Sequence, residues 1–307
     1  NLKMLKMVRL CHSQQLIEID DIFCAQNIEL IDLQSCTKLP SFPATGQLQH
    51  LRVVNLSGCR EIEIFQEVSP NIYELNLQGT GIRELPISIG NATNLRKLNL
   101  EYCSSLVELS FSFENVINLK ELYLKGCSSL AELPASIGSA TNLEILDLSH
   151  CSRLVELPSS FGNASLKELY LTGCSSLVEL PESIEYAVNL EILDLSNCSS
   201  LLQLPSSIWN ATTFQKLNLM YPSSLVDLPS SSGNAINLKE LYLKGCSSLA
   251  ELPASIGSAT NLEILDLSHC SSLLQFPSLE NVINLKELCL TGCSSLGELP
   301  VSNRKST

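Results

Sequence analysis

The chain has 307 residues, with 19 Lys+Arg against 32 Asp+Glu, a formal net charge of −13, and a composition 45% hydrophobic but only 17% charged and 5% aromatic. So much aliphatic side chain with so little charge excludes disorder, and the short, polar-interrupted apolar runs exclude a membrane span. A pI near 4.8 without clustered Lys or Arg also excludes a nucleic-acid binder, because phosphate contacts need such clusters.

Read in chain order, one unit, LxxLxLxxC, recurs from end to end. The first copies are loose: Leu5-Val8-Leu10-Ser13, Ile28-Ile31-Leu33-Cys36, Leu51-Val54-Leu56-Cys59, Ile72-Leu75-Leu77-Thr80 and Leu95-Leu98-Leu100-Cys103. The next four are regular: Leu119-Leu122-Leu124-Cys127, Leu143-Leu146-Leu148-Cys151, Leu166-Leu169-Leu171-Cys174 and Leu190-Leu193-Leu195-Cys198. After Phe214-Leu217-Leu219-Pro222 the pattern resumes as Leu238-Leu241-Leu243-Cys246, Leu262-Leu265-Leu267-Cys270 and Leu285-Leu288-Leu290-Cys293, thirteen copies in all. Ninth positions lie 23 or 24 residues apart, or 21 between Cys59 and Thr80.

This spacing predicts a leucine-rich-repeat solenoid of the α/β class. The alternating LxL marks a short strand with one buried face, and one strand per coil forces neighbours to run parallel on a concave side. The following SSLxELPxSIG segment forms the convex side as turns and short 3₁₀ pieces, with Leu130, Leu133 and Ile137 turned inward. No coil buries its leucines alone, so stability comes from stacking. At ~4.8 Å per strand, thirteen coils make an arc roughly 60 Å long. Length alone suggests two globular domains, but the repeat predicts a single solenoid over 1–302, irregular in 1–89 and regular in 95–300, with a polar tail at 303–307.

Ten of the 13 cysteines occupy the ninth position: Cys36, Cys59, Cys103, Cys127, Cys151, Cys174, Cys198, Cys246, Cys270 and Cys293. They form a structural ladder at the strand ends, small inward side chains satisfying turn backbone groups, and no spacing suits zinc. Adjacent coils would place such thiols within reach of disulfide formation, so the ladder implies a reducing compartment, cytoplasm or nucleus. Five Asn-x-Ser/Thr sequons, at Asn55, Asn91, Asn163, Asn197 and Asn210, stand against this but arise readily in Ser-rich repeats.

The third, fifth and seventh positions face outward along each strand. The fifth column alternates Tyr and Asp through its second half, and the second column alternates Lys and Glu from Lys120 to Glu191 and again from Lys239 to Lys286. The candidate partner-binding residues on this concave face are Tyr123, Lys125, Asp147, Tyr170, Asp194, Met220, Tyr221, Tyr242, Lys244 and Asp266, since rigid aromatics beside charge make interface anchors. Residues 118–152 and 237–271 are identical, so block duplication also accounts for the alternation. A second column precedes the Leu-Pro pair: Glu18, Glu84, Glu108, Glu132, Glu156, Glu179, Asp227, Glu251 and Glu298, interrupted by Gln203 and Gln275. Such stacked acids repel by up to ~1 kcal/mol per neighbour pair and must be solvated, as a soluble edge or a docking stripe for a basic surface. Trp209 replaces the usual Gly of its coil and is a candidate exposed anchor on the convex side.

Catalytic signatures are lacking. There is no GxxxxGK[ST] or helix-opening GxGxxG, and the four His are dispersed. In His150-Cys151 the two side chains point in opposite directions, which suits no nucleophile pair. The reading is a non-enzymatic chain with no metal site.

The coils NLKELYLKGCSSLAELPASIGSATNLEILDLSHCS (118–152) and LRVVNLSGCREIEIFQEVSPNIYELNLQGTGIRELPISI (51–89) resemble the leucine-rich-repeat region of plant intracellular disease resistance proteins with TIR and NB-ARC domains. The resemblance implies a protein-recognition module of an immune receptor. Its partners would be a pathogen effector, a host guardee or other domains of the same receptor, and it would contribute to autoinhibition. It implies no cofactor in this chain, since ADP or ATP would belong to an NB-ARC domain whose motifs are missing here. The chain starts and stops within repeats, so a fragment able to self-associate through uncapped ends is expected. The alternatives are an extracellular receptor ectodomain, which would more usually show Asn in the ladder, and a substrate adaptor of a ubiquitin ligase, which should carry an upstream F-box.

Overall fold

The structure is a computed structural model that describes residues 2–162, 165–210, 213–229, 235–275 and 277–298. The tail at 303–307 and the Asn163 sequon lie outside the described residues. Two compact units divide the chain, residues 1–153 and 154–307.

Each coil contributes a three-residue strand. Those of the first unit are β1 (Met7–Arg9), β2 (Leu30–Asp32), β3 (Val53–Asn55), β4 (Glu74–Asn76), β5 (Lys97–Asn99), β6 (Glu121–Tyr123) and β7 (Ile145–Asp147). The second unit carries β8 (Glu168–Tyr170), β9 (Ile192–Asp194), β10 (Lys216–Asn218), β11 (Glu240–Tyr242), β12 (Ile264–Asp266) and β13 (Glu287–Cys289). Within each unit neighbouring strands are parallel and in chain order. The register follows the repeat without slippage: Leu98 pairs with Leu122 and Leu122 with Leu146, while Leu193, Leu217 and Leu241 line up in turn. A one-residue slip would turn every one of these side chains to solvent, so the buried face fixes the register. Each fully buried Leu contributes roughly 1.5–3 kcal/mol, which is why a three-residue strand suffices when it is stacked.

The convex side is built as the repeat predicts, from short 3₁₀ turns such as Ile87–Asn91, Ala135–Ser139 and Ala254–Ser258. Pro134 precedes one of them with extended backbone, and its carbonyl accepts the Ile137 N–H at 3.0 Å. Leu130, Leu133 and Ile137 are all buried. Phenylalanines take over this inner row in parts of the first unit: Phe42 and Phe65 stack at 5.4 Å, and Phe111 meets Phe113 at 4.6 Å.

Every eighth repeat position is left-handed. Seven carry a side chain, with φ between 59° and 64° (His12, Ser35, Tyr102, His150, Asn197, Tyr221 and His269), and six are glycines with φ between 65° and 78°. The chain needs this twist to swing the following Cys into the core, and only glycine adopts it without cost. Glycine also leaves room for the coil before it. A Cβ on Gly126 would stand 2.7 Å from the Tyr102 ring, one on Gly245 2.4 Å from the Tyr221 ring, and one on Gly292 2.6 Å from the His269 ring. A large side chain in one coil thus lies over a bare glycine in the next.

Candidate recognition face

Two hydrogen-bond ladders hold the coils and leave the outward columns free. Along the cysteine column Cys127 Sγ donates to the Leu100 carbonyl at 3.1 Å, Cys198 to Leu171 at 3.1 Å and Cys246 to Leu219 at 3.3 Å, each one coil back. The described cysteines are all free thiols. Burial pushes the Cys59 thiol up to about 11 and those of Cys151 and Cys198 up to about 12, so these sulfurs are poor nucleophiles. In the last coil Cys293 is only partly buried, though its Sγ still reaches the Leu267 carbonyl at 3.1 Å.

The second ladder was not anticipated from the sequence. Where an Asn precedes the strand-opening Leu, it donates through Nδ2 to the coil behind in several coils: Asn118 to the Thr93 carbonyl at 2.7 Å, Asn142 to Ile117 at 2.6 Å and Asn261 to Ile236 at 2.8 Å. Its signal was the recurring Asn-Leu pair, which was visible but had no assigned task.

On the strands the predicted residues divide into two kinds. Asp147, Asp194 and Asp266 each accept the backbone N–H two residues on (Ser149, Ser196 and Ser268) at 2.8–2.9 Å, closing the strand end as an Asx turn. Asn55, Asn76, Asn99 and Asn218 do the same in other coils. The acceptor role therefore accounts for the acid or amide at these places, and each Asp keeps its outward side.

The tyrosines are held differently. Tyr123, Tyr170 and Tyr242 each donate their hydroxyl to the Glu two residues earlier, at 3.1, 2.9 and 3.2 Å. For two of them a lysine from the preceding strand completes a cluster. Lys97 Nζ lies 2.8 Å from Glu121 and 5.1 Å from the Tyr123 ring centre, and Lys216 Nζ lies 2.8 Å from Glu240 and 5.1 Å from that of Tyr242. The ion pair draws Glu240 below the usual carboxylate range and Lys216 above its usual value. Lys125 and Lys244 are half-buried at the seventh position, and Lys244 Nζ lies 5.9 Å from the Tyr221 ring. Met220 is half-buried beside the exposed Tyr221, and the buried Pro222 replaces the ladder cysteine. The second-column charge pairs form at Lys120–Glu144 and Lys286–Glu263, both 2.6 Å, while Lys239 bonds Gln215 at 3.2 Å instead.

The acidic column is exposed throughout, as its repulsion requires. Gln203 breaks it by donating to Glu179 at 3.2 Å. An open groove of about 490 Å³ runs beside it, lined by Glu179, Pro181, Glu182, Gln203, Pro205 and Asp227 among others. Trp209 corrects the sequence reading: it is 3% exposed, its Nε1–H reaches the Pro229 carbonyl at 3.1 Å, and its ring packs 6.3 Å from that of Phe214. It fills the core rather than anchoring a contact, because an indole buried against a neighbouring coil finds both apolar area and an acceptor. Among the described residues no three His, Cys, Asp or Glu side chains gather as a metal site, and no helix is long and apolar enough to cross a membrane.

Parallel one-strand coils, a cysteine ladder and outward columns released from core duty define a leucine-rich-repeat protein. The Leucine Rich Repeat family profile matches residues 142–164 and 189–211. A solved leucine-rich-repeat protein of Leptospira interrogans superposes with a TM-score of 0.55 at 25% identity, over 94% of this chain and 85% of that one. "Disease resistance protein RRS1" of Arabidopsis thaliana is 60% identical over 88 residues, covering 29% of this chain and 6% of RRS1. "Disease resistance protein RPP2A" of the same plant is 39% identical over 132 residues, 35% of this chain and 10% of RPP2A. The repeats of this chain are similar to those of these plant disease resistance proteins, and the matches span only 6–10% of the length of these relatives.

Proposed function

We propose that the strand face recognises a protein ligand, a pathogen effector or a host protein that an effector alters, and that the region helps to hold its receptor inactive until then. The observation that supports this most is the Lys–Glu–Tyr cluster. It fixes aromatic rings at half exposure on a surface whose fold is already complete through the Leu and Cys rows. Pre-positioned tyrosines lose little side-chain freedom on binding, which is what an interface anchor requires.

In this reading the chain is a recognition module without catalysis or cofactor of its own, nucleotide switching belonging to another domain. The buried free thiols support a reducing compartment, cytoplasm or nucleus. Contacts with other domains of the receptor belong to the same reading.

The test replaces Tyr123, Tyr170 and Tyr242 together with serine in a receptor carrying this region. In leaf tissue expressing a panel of effectors, the triple variant is expected to lose effector-dependent cell death and co-precipitation while accumulating normally. Recognition that survives the triple change would sink the proposal.

A further inference from the structure

The two units present closely similar outward patches. Lys97-Leu98-Asn99 in β5 matches Lys216-Leu217-Asn218 in β10, and the strands that follow are copies of each other, with the same 2.8 Å ion pair and 5.1 Å ring contact. Each patch ends in a tyrosine held left-handed over the next coil's glycine: Tyr102 over Gly126, 50% exposed, and Tyr221 over Gly245, 47% exposed. The copies part company at the residue before that tyrosine, which is Glu101 in one and Met220 in the other.

Three tyrosine rings in these patches hold an ammonium group over their faces: Tyr123, Tyr242 and, through Lys244, Tyr221. Among the described residues no cation lies over Tyr102. Its backbone is fixed by a 2.6 Å hydrogen bond from its N–H to the Lys125 carbonyl, and Glu101 is steered by a 3.4 Å bond from Asn99 Nδ2. A half-exposed ring with no cation over its outer face, set beside a carboxylate, matches a guanidinium or ammonium group, which gains from the ring's negative face and the acid at once.

We infer that Tyr102 and Glu101 form a site for an Arg or Lys side chain presented by the protein partner, and that Met220 closes the corresponding site in the second unit. This rests on the strand face being a recognition surface and names the chemistry one part of it reads. Lys125, one coil on, is the competing cation, so the site favours a basic residue whose approach displaces or avoids it.

The test titrates N-acetyl-arginine amide into the whole chain carrying ¹⁵N-tyrosine, whose seven tyrosines give separable amide signals, with N-acetyl-norleucine amide as control. The Tyr102 signal is expected to shift saturably with arginine alone, while Tyr221 stays still. E101M should weaken this at least fivefold, K125M should strengthen it, and M220E combined with K244M should make Tyr221 respond. Y102N, which keeps a residue tolerant of the left-handed backbone, should abolish it without unfolding the chain. A Tyr102 shift no larger than that of the other tyrosines, or one unchanged in E101M, would overturn the site. Because no partner is used, that outcome leaves recognition by the rest of the face standing, and loss of recognition in the tyrosine triple variant leaves this site standing.

Discussion

Gly245→Ala tests the left-handed column most directly. The glycine has φ of +76°, and a Cβ there would meet Tyr221 Cδ1 at 2.4 Å and Cε1 at 2.8 Å. Three effects set the magnitude. A left-handed alanine costs about 1–2 kcal/mol. The stiffer unfolded chain returns about 0.4–1 kcal/mol. The Tyr221 ring must also swing aside and give up Lys244 at 5.9 Å, a contact worth about 0.5–1 kcal/mol at an exposed site. The net expectation is a loss of about 1–2 kcal/mol, falling to roughly half that in a Y221N background, where the ring is gone and Asn accepts the left-handed backbone. Urea unfolding followed by the emission of Trp209, the single tryptophan, reports on the same unit; the midpoint should move while the slope stays constant. Equal costs in both backgrounds would show that Tyr221 does not lie over Gly245, and no cost at all would remove the argument for the left-handed turn.

Other expectations follow from the same geometry. W209A should destabilise by about 3–5 kcal/mol and W209F by about 1 kcal/mol, the first for the emptied volume and the second for the lost bond to Pro229, and native Trp209 emission should be blue-shifted until unfolding. The raised thiol values of Cys59, Cys151 and Cys198 make stability fully present below the unfolded thiol value near 8.5 and progressively lost as pH climbs toward about 11 to 12. Urea midpoints that stay flat from pH 8 to 11 would refute this, and a thiol reagent at pH 8 should label exposed Cys24 long before the ladder. N142A should cost about 0.5–1.5 kcal/mol through the lost bond to the Ile117 carbonyl, seen as faster hydrogen exchange in that coil; unchanged exchange would deny the Asn ladder a structural role.

Much of this molecule is legible because a repeat states the same instruction many times. The LxL alternation, the Leu130, Leu133 and Ile137 set, the 3₁₀ turns and the inward cysteines each follow from spacing, since a coil of 23 or 24 residues has one way to bury its leucines. The outward face was legible in part. Position alone marks Tyr123 and Tyr242 as exposed candidates, but the lysine that caps each ring comes from the preceding strand, and reading down one column hides a cluster that spans three. Asp147 looked free for binding because nothing in the sequence shows a backbone N–H turning back toward it.

The sequence by itself determined the coil, its buried rows and the column in which each outward residue stands, because hydrophobic spacing is local and period-bound. Only the tertiary structure decided what neighbouring coils do to one another. It buried Trp209 against Pro229, laid Tyr102 over Gly126, and spent the outward Asp residues on turn amides. These outcomes depend on side chains about 24 residues apart meeting across a strand spacing of ~4.8 Å, a distance fixed by stacking and written in no single repeat.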